Sequence, residues 1–167
     1  AKDDSLAADL ANYLPEVLVV TDPKLENYTS DGYTQAIKSL ADNQDIKGVL
    51  IAHSYDGVDF AAQVALELDA GIISNCLKAR VDGGKLVFTR NIYNGKIQEE
   101  RSLKTDRFVA TFEKGAYEPA ASGAGGAVTA ASATIGDIRT IVKEVIETMA
   151  GAVDISQAKI IVAGGRG

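Results

Sequence analysis

Gly48-Val49-Leu50-Ile51-Ala52, running through His53-Ser54-Tyr55-Asp56 into the segment Gly57 to Leu68, is the stretch whose reading decides the fold. Its first five residues carry no polar side chain and read as a strand. From Gly57 the period changes. Val58, Ala61, Ala62, Ala65 and Leu66 fall at helical spacing, Gly71 is available as a terminator, and Ile72-Ile73-Ser74 reads as the next strand. Strand, helix and strand in succession predict a parallel pair joined by a crossover. A helical face made mostly of alanine would let that crossover lie close to the sheet.

Upstream, the same alternation repeats. Asp4-Ser5 heads a helix with Leu6, Ala7, Leu10 and Ala11 on one side, and Glu16-Val17-Leu18-Val19-Val20-Thr21 reads as a buried strand closed by Asp22-Pro23. A helix from Gly32 to Leu40, with Tyr33, Ala36, Ile37 and Leu40 on one face, leads through Asp42-Asn43-Gln44-Asp45 to the opening strand. Downstream the pattern turns antiparallel. Leu77 to Val81 and Lys85 to Thr89 flank Asp82-Gly83-Gly84, residues that accept the positive φ of a tight hairpin. A further pair, Lys96 to Leu103 and Arg107 to Phe112, is expected to turn at Lys104-Thr105-Asp106. The fold class predicted is α/β: a mostly parallel sheet flanked by helices in three layers, of nucleotide-binding type, with an antiparallel hairpin extension.

Beyond Tyr117 the composition shifts. Residues 119–133 are rich in Ala, Ser and Gly and too poor in large apolar side chains to anchor a core, so they read as a linker after an α/β domain spanning 1–118. Residues 134–157 read as an amphipathic helix and its connection, with Ile135, Ile138, Ile141, Val142, Val145, Ile146 and Met149 forming one stripe. The ordinary role of such a stripe is packing against a sheet or a partner subunit. Residues 158–167 read as a strand, Lys159-Ile160-Ile161-Val162-Ala163, feeding the turn Gly164-Gly165-Arg166-Gly167. A strand entering a glycine-rich turn normally opens a helix whose N-terminus can receive a phosphate. The expectation is therefore a piece of a longer protein in which a second, nucleotide-binding domain begins here.

The 167 residues carry a formal net charge of −6, which argues against a nucleic-acid partner, since that would need a clustered basic face. No apolar run approaches the roughly 20 residues of a membrane span. One cysteine, Cys76, and one histidine, His53, cannot supply a typical zinc site or an internal disulfide. His53 follows a predicted strand at its carboxyl end, where open α/β sheets place ligands. Adjacent side chains diverge, however, so His53-Ser54 does not form a nucleophile with its base, and no catalytic residue is assigned. The bland reading of His53 is a hydrogen-bonded loop histidine, and the sharp one is a group facing a ligand or partner. Glu99-Glu100 and Asp3-Asp4 read as solvated faces or caps. Gly164, Gly165, Arg166 and Gly167 are the best-placed candidates for a cofactor, because glycines admit a phosphate to the backbone and Arg offers a permanently charged donor fork.

Taken in order, these segments resemble the alpha subunit of electron transfer flavoproteins. Val17 to Leu25 is similar to the family's strand and Asp-Pro loop, while Gly57, Asp59, Ala61 and Ala65 match its G-x-D-x-A-x-x-x-A helix start. Arg90-Asn91-Ile92-Tyr93-Asn94-Gly95-Lys96 resembles its R-P-x-Y-G-G-K segment, with Asn91 and Asn94 standing where the family often has Pro and Gly. Ala158 to Gly167 resembles the strand and G-G-R-G turn that open its flavin domain. The resemblance implies an electron carrier without catalytic residues of its own, in which this part scaffolds the beta subunit. It also implies FAD held mainly by a further C-terminal domain and not retained by this part alone, with Arg166 near the flavin and Gly164, Gly165 and Gly167 shaping the turn. Implied partners are the beta subunit, flavin dehydrogenases such as the acyl-CoA dehydrogenases of fatty acid β-oxidation, and a membrane quinone oxidoreductase as acceptor. The implied compartment is the cytoplasm of a prokaryote or the mitochondrial matrix of a eukaryote. The alternative is a free-standing nucleotide-binding sensor of the stress-protein type, which would need a glycine-rich loop after an internal strand.

Overall fold

The computed structural model describes residues 5–123, 125–146 and 158–165. Its larger sheet has five strands: β2 (Gly48–Ala52), β3 (Gly71–Asp82), β4 (Lys85–Ile92), β5 (Ile97–Arg101) and β6 (Phe108–Phe112), in the spatial order β2-β6-β3-β4-β5. β6 runs parallel to both β2 and β3, whereas β4 runs antiparallel to both of its neighbours, β3 and β5. The sheet is thus mixed rather than mostly parallel.

The Asp-Gly-Gly hairpin forms as read, with Gly83 at φ 53° and Gly84 at φ 78°. The second expected hairpin does not. β5 pairs with β4, and β6 inserts two strands away, between β2 and β3. Burial explains the choice. Phe-Val-Ala-Thr-Phe carries no charge, and Val109, Ala110 and Thr111 are at most 1% exposed, so the strand needs cover on both faces. Gln98-Glu99-Glu100-Arg101 suits an edge, where charges discourage further pairing.

Helix α3 (Tyr55–Glu67) crosses β2, β6 and β3, and α2 (Ser30–Asn43) packs against α3. Their core joins Ala41, Phe60, Ala61, Val64, Ala65 and Leu68 to Val109 of the sheet. The opposite face gathers Ile73, Cys76, Phe88 and Ala110, with Leu103, Phe108 and Phe112 packed around them. Burying a side chain such as Phe88 or Val64 contributes about 1.5–3 kcal/mol. Both faces are filled, yet among the described residues only one carries helices. The third layer expected from the sequence is not seen there.

β1 (Glu16–Val20) does not join this sheet. It pairs in parallel with β7 (Ala127–Ala131), and helix α1 (Ser5–Ala11) covers the pair through Ala7, Ala11 and Val17. The linker expected over 119–133 therefore contains a strand: backbone pairing with β1, not side-chain bulk, is what orders it. The helix expected from Ile135 is also absent, since residues 132–146 have no helical turn, and Met149 lies outside the described residues. Residues 159–163 form no strand either. Ile160 and Val162 are exposed, and no described strand pairs with them.

Candidate functional site

The carboxyl ends of β2 and β6 meet the irregularity at Asn75 in β3, beside the first turn of α3. At the end of β2 the His53 amide donates to the carbonyl of Phe112 at 2.7 Å, holding the residue against β6. Its ring Nδ1 lies 2.8 Å from Oγ1 of Thr111, and the backbone amide of Asn75 donates to the same hydroxyl at 2.9 Å. With the Asn75 amide as donor, the Thr111 hydroxyl keeps one proton and one lone pair with which to meet Nδ1. Asn75 reaches this position with φ 57°, a left-handed conformation that Asn tolerates better than most residues. The arrangement joins three strands, and the hydroxyl it brings to His53, that of Thr111, is 1% exposed and already accepts the Asn75 amide.

Ser54 has a different task. Its Oγ accepts the Gly57 amide at 3.1 Å, capping α3. Gly57 itself is required by space, because a Cβ there would be driven into the carbonyl oxygen of Ala52. Asp59 accepts a hydrogen bond from the Tyr28 hydroxyl at 2.8 Å. Burial and the Asp59 carboxylate together push the Tyr28 phenol above its ordinary range. Ala61 and Ala65, at 2% and 3% exposure, allow α3 to approach its neighbours closely. Gly57, Asp59, Ala61 and Ala65 thus serve the docking of a helix.

Along the other edge, Arg90 Nε stands 3.2 Å from Glu99 Oε1, but off the N–H direction, so the contact is an ion pair without a hydrogen bond. Glu99 also pairs with Arg101 at 2.9 Å, and Arg80 contacts Glu100 at 3.1 Å. Glu99 and Glu100 are committed to these ion pairs, while Asp3 and Asp4 lie outside the described residues. Among the described residues no group of His, Cys, Asp and Glu has the arrangement of a metal site, and no helix is long and apolar enough to cross a membrane.

Of the cofactor candidates, Gly164 and Gly165 are exposed, and no atom lies within 4 Å of where a Cβ would project. That open backbone suits close approach of a flavin or phosphate. Nothing else described converges on it, however, so these two glycines alone do not make a flavin pocket. Arg166 and Gly167 lie outside the described residues. Sequence reasoning missed Thr111 and Asn75. A lone hydroxyl inside the apolar strand Phe108–Phe112 was the available signal.

The ordered segments, with their helix-docking glycine and alanines, have a match among known proteins: the model of the electron transfer flavoprotein domain covers residues 1–137. The chain belongs to the electron transfer flavoprotein family. It is 37% identical over 98% of its length to a protein of Bacillus subtilis named electron transfer flavoprotein subunit alpha, of which it covers 51%. A protein of the same name from Syntrophomonas wolfei is 32% identical, over 98% of this chain and 53% of its own. Protein FixB of Clostridium saccharobutylicum is 35% identical over 95% of this chain and 50% of its own. The chain spans about half the length of these relatives.

Set beside the family pattern, the β4–β5 turn accounts for one departure. Tyr93, Asn94 and Gly95 have φ values of 52°, 55° and 82°. Asn94 stands where the electron transfer flavoprotein family often has Gly, and it adopts the left-handed backbone that Gly would supply.

Proposed function

We propose that this chain is the N-terminal part of an electron transfer flavoprotein alpha subunit, carrying electrons from flavin dehydrogenases to an acceptor such as a membrane quinone oxidoreductase. The observation that carries the reading is the 37% identity along 98% of the chain to a protein bearing the alpha-subunit name. In this role the residues position and support, while the flavin, when bound, supplies the redox chemistry. FAD is the cofactor proposed, held by a domain following Gly167, with Gly164, Gly165 and Gly167 shaping the entry turn and Arg166 placing its guanidinium near the flavin. The segment described here scaffolds the beta subunit.

Exposed apolar side chains support a partner-binding role. Ile141, Val145 and Ile146 are 80%, 68% and 81% exposed. A hollow of about 450 Å³ lined by Leu50, Ala52, Ala79, Phe112, Ala116 and Tyr117 opens on the helix-free face. Interfaces of this kind are apolar at their centre. The dehydrogenases served would include acyl-CoA dehydrogenases, and the compartment would be the cytoplasm of a prokaryote or the mitochondrial matrix of a eukaryote.

The test is the visible absorption spectrum of the full-length chain coexpressed with the neighbouring reading frame. Flavin bands in a stable heterodimer, weakened or shifted by Arg166→Ala, are the expected result. A colourless monomer would overturn the proposal and favour the nucleotide-sensor alternative.

A further inference from the structure

Residues 134–140 lie along α2 in an extended run, and the contacts that hold them are made by main chain on one side and side chains on the other. The amide of Thr134 donates to Ser39 Oγ at 2.9 Å, that of Gly136 to Gln35 Oε1 at 2.6 Å, and that of Arg139 to Asp31 Oδ2 at 2.6 Å. The Thr140 amide reaches the same carboxylate oxygen at 3.3 Å. In return, Gln35 Nε2 donates to the Asp137 carbonyl at 3.2 Å, and Lys24 Nζ donates to the carbonyls of Ile135 and Gly136 at 2.8 Å each.

Asp31, Gln35 and Ser39 are spaced four apart, so they stand in a row on one face of α2. The extended segment descends that row from Ser39 to Asp31, antiparallel to the helix. Ile135, 9% exposed, pins it from below. Gly32 keeps the approach close: a Cβ there would stand 2.7 Å from Thr29 Oγ1 and 3.1 Å from Ile138 Cδ1. Hollows of about 380 and 440 Å³ flank the segment, one lined by Thr134 and Gly136 and the other by Arg139, so it lies on the helix as a strap rather than merging with it. Past Thr140 this ladder stops, and Ile141 turns out to solvent.

We infer that residues 134–140 are a latch that holds the chain to α2 as far as Thr140, and that the described residues after it, 141–146, are not held in this way. The hydrogen-bonded part of the latch reads backbone, so it tolerates changes to the exposed Thr134, Asp137 and Arg139 side chains but not loss of the Gly136 or Arg139 amide.

Amide hydrogen exchange on the full-length protein tests it, with no flavin signal involved. Gly136, Arg139 and Thr140 are expected to exchange at least about tenfold more slowly than Val142, Val145 and Ile146. Asp31→Ala combined with Gln35→Ala should raise exchange at 136–140 to the rate of 142–146, while Val109 and Ala110 stay protected. Gln35→Ala alone, a change favourable to a helix, should give a partial rise at Gly136 and guards against misfolding of the double variant. Equal rates on both sides of residue 140 in the unaltered protein, or unchanged protection in both variants, would overturn the inference.

Discussion

Thr111 Oγ1 serves two partners from different strands, standing 2.8 Å from the His53 ring and 2.9 Å from the Asn75 amide. At 1% exposure it has no water to replace either. Thr111→Val keeps the shape of the side chain and removes the hydroxyl, leaving the Asn75 amide without its acceptor. The expected loss is about 1–3 kcal/mol in urea unfolding. His53→Ala should cost less, because the half-exposed ring is the more dispensable partner. A larger loss for His53→Ala would show that the histidine has a structural role beyond this bond.

Gly57→Ala should reverse the usual sign of a glycine-to-alanine change. On an open helical face that change stabilises by roughly 1 kcal/mol. Here the added Cβ meets the Ala52 carbonyl oxygen, with Ile51 Cγ2 at 2.9 Å, so α3 must move off the sheet. The expected effect is a destabilisation of about 1–3 kcal/mol, read as a lowered thermal midpoint.

These two residues also show what the sequence made legible. The strand 48–52, the helix after it and the Asp82-Gly83-Gly84 hairpin are local patterns, set by periodicity and by permitted φ, and they form where read, although the helix buries Phe60, Val64 and Leu68 beside Ala61 and Ala65 rather than Val58, Ala62 and Leu66. The position of β6 is a non-local choice. A three-residue polar break at Lys104-Thr105-Asp106 looks like a hairpin turn whether the next strand pairs with β5 or passes over to β3. The uncharged composition of Phe108–Phe112 was the clue to its central place. The apolar stripe from Ile135 has helical spacing, but the segment's amides are taken by Asp31, Gln35 and Ser39, about a hundred residues earlier. A competition between hydrogen-bonding partners so far apart leaves no local trace. Of the candidate site, the motif glycine and alanines were visible, whereas their use in packing needed the neighbours' coordinates.

Cys76 gives a pH dependence with a definite sign. Burial pushes its thiol from the ordinary 9.0 up to about 11, against a pull from Arg90 in the other direction. The folded state holds its proton more tightly than the unfolded state, so its contribution is fully present below pH 9 and falls as pH rises from about 9 to about 11. Tyr28 acts with the same sign at higher pH. Urea midpoints across this range should therefore fall less steeply in Cys76→Ala than in the unaltered protein, and the difference between the two isolates the thiol. In the native protein at pH 8 a thiol reagent should not react until the chain unfolds.

The placement of β6 also bears on how the chain is made. β2 and β3 emerge from the ribosome within about twenty residues of each other but touch no common ladder until Phe108–Phe112 arrives to lie between them. Until then each has an unsatisfied edge and the apolar faces of Ile51 and Ile73 lack their central neighbour, a state open to wrong pairing. Translation past residue 112 is thus the point at which the larger sheet can first close.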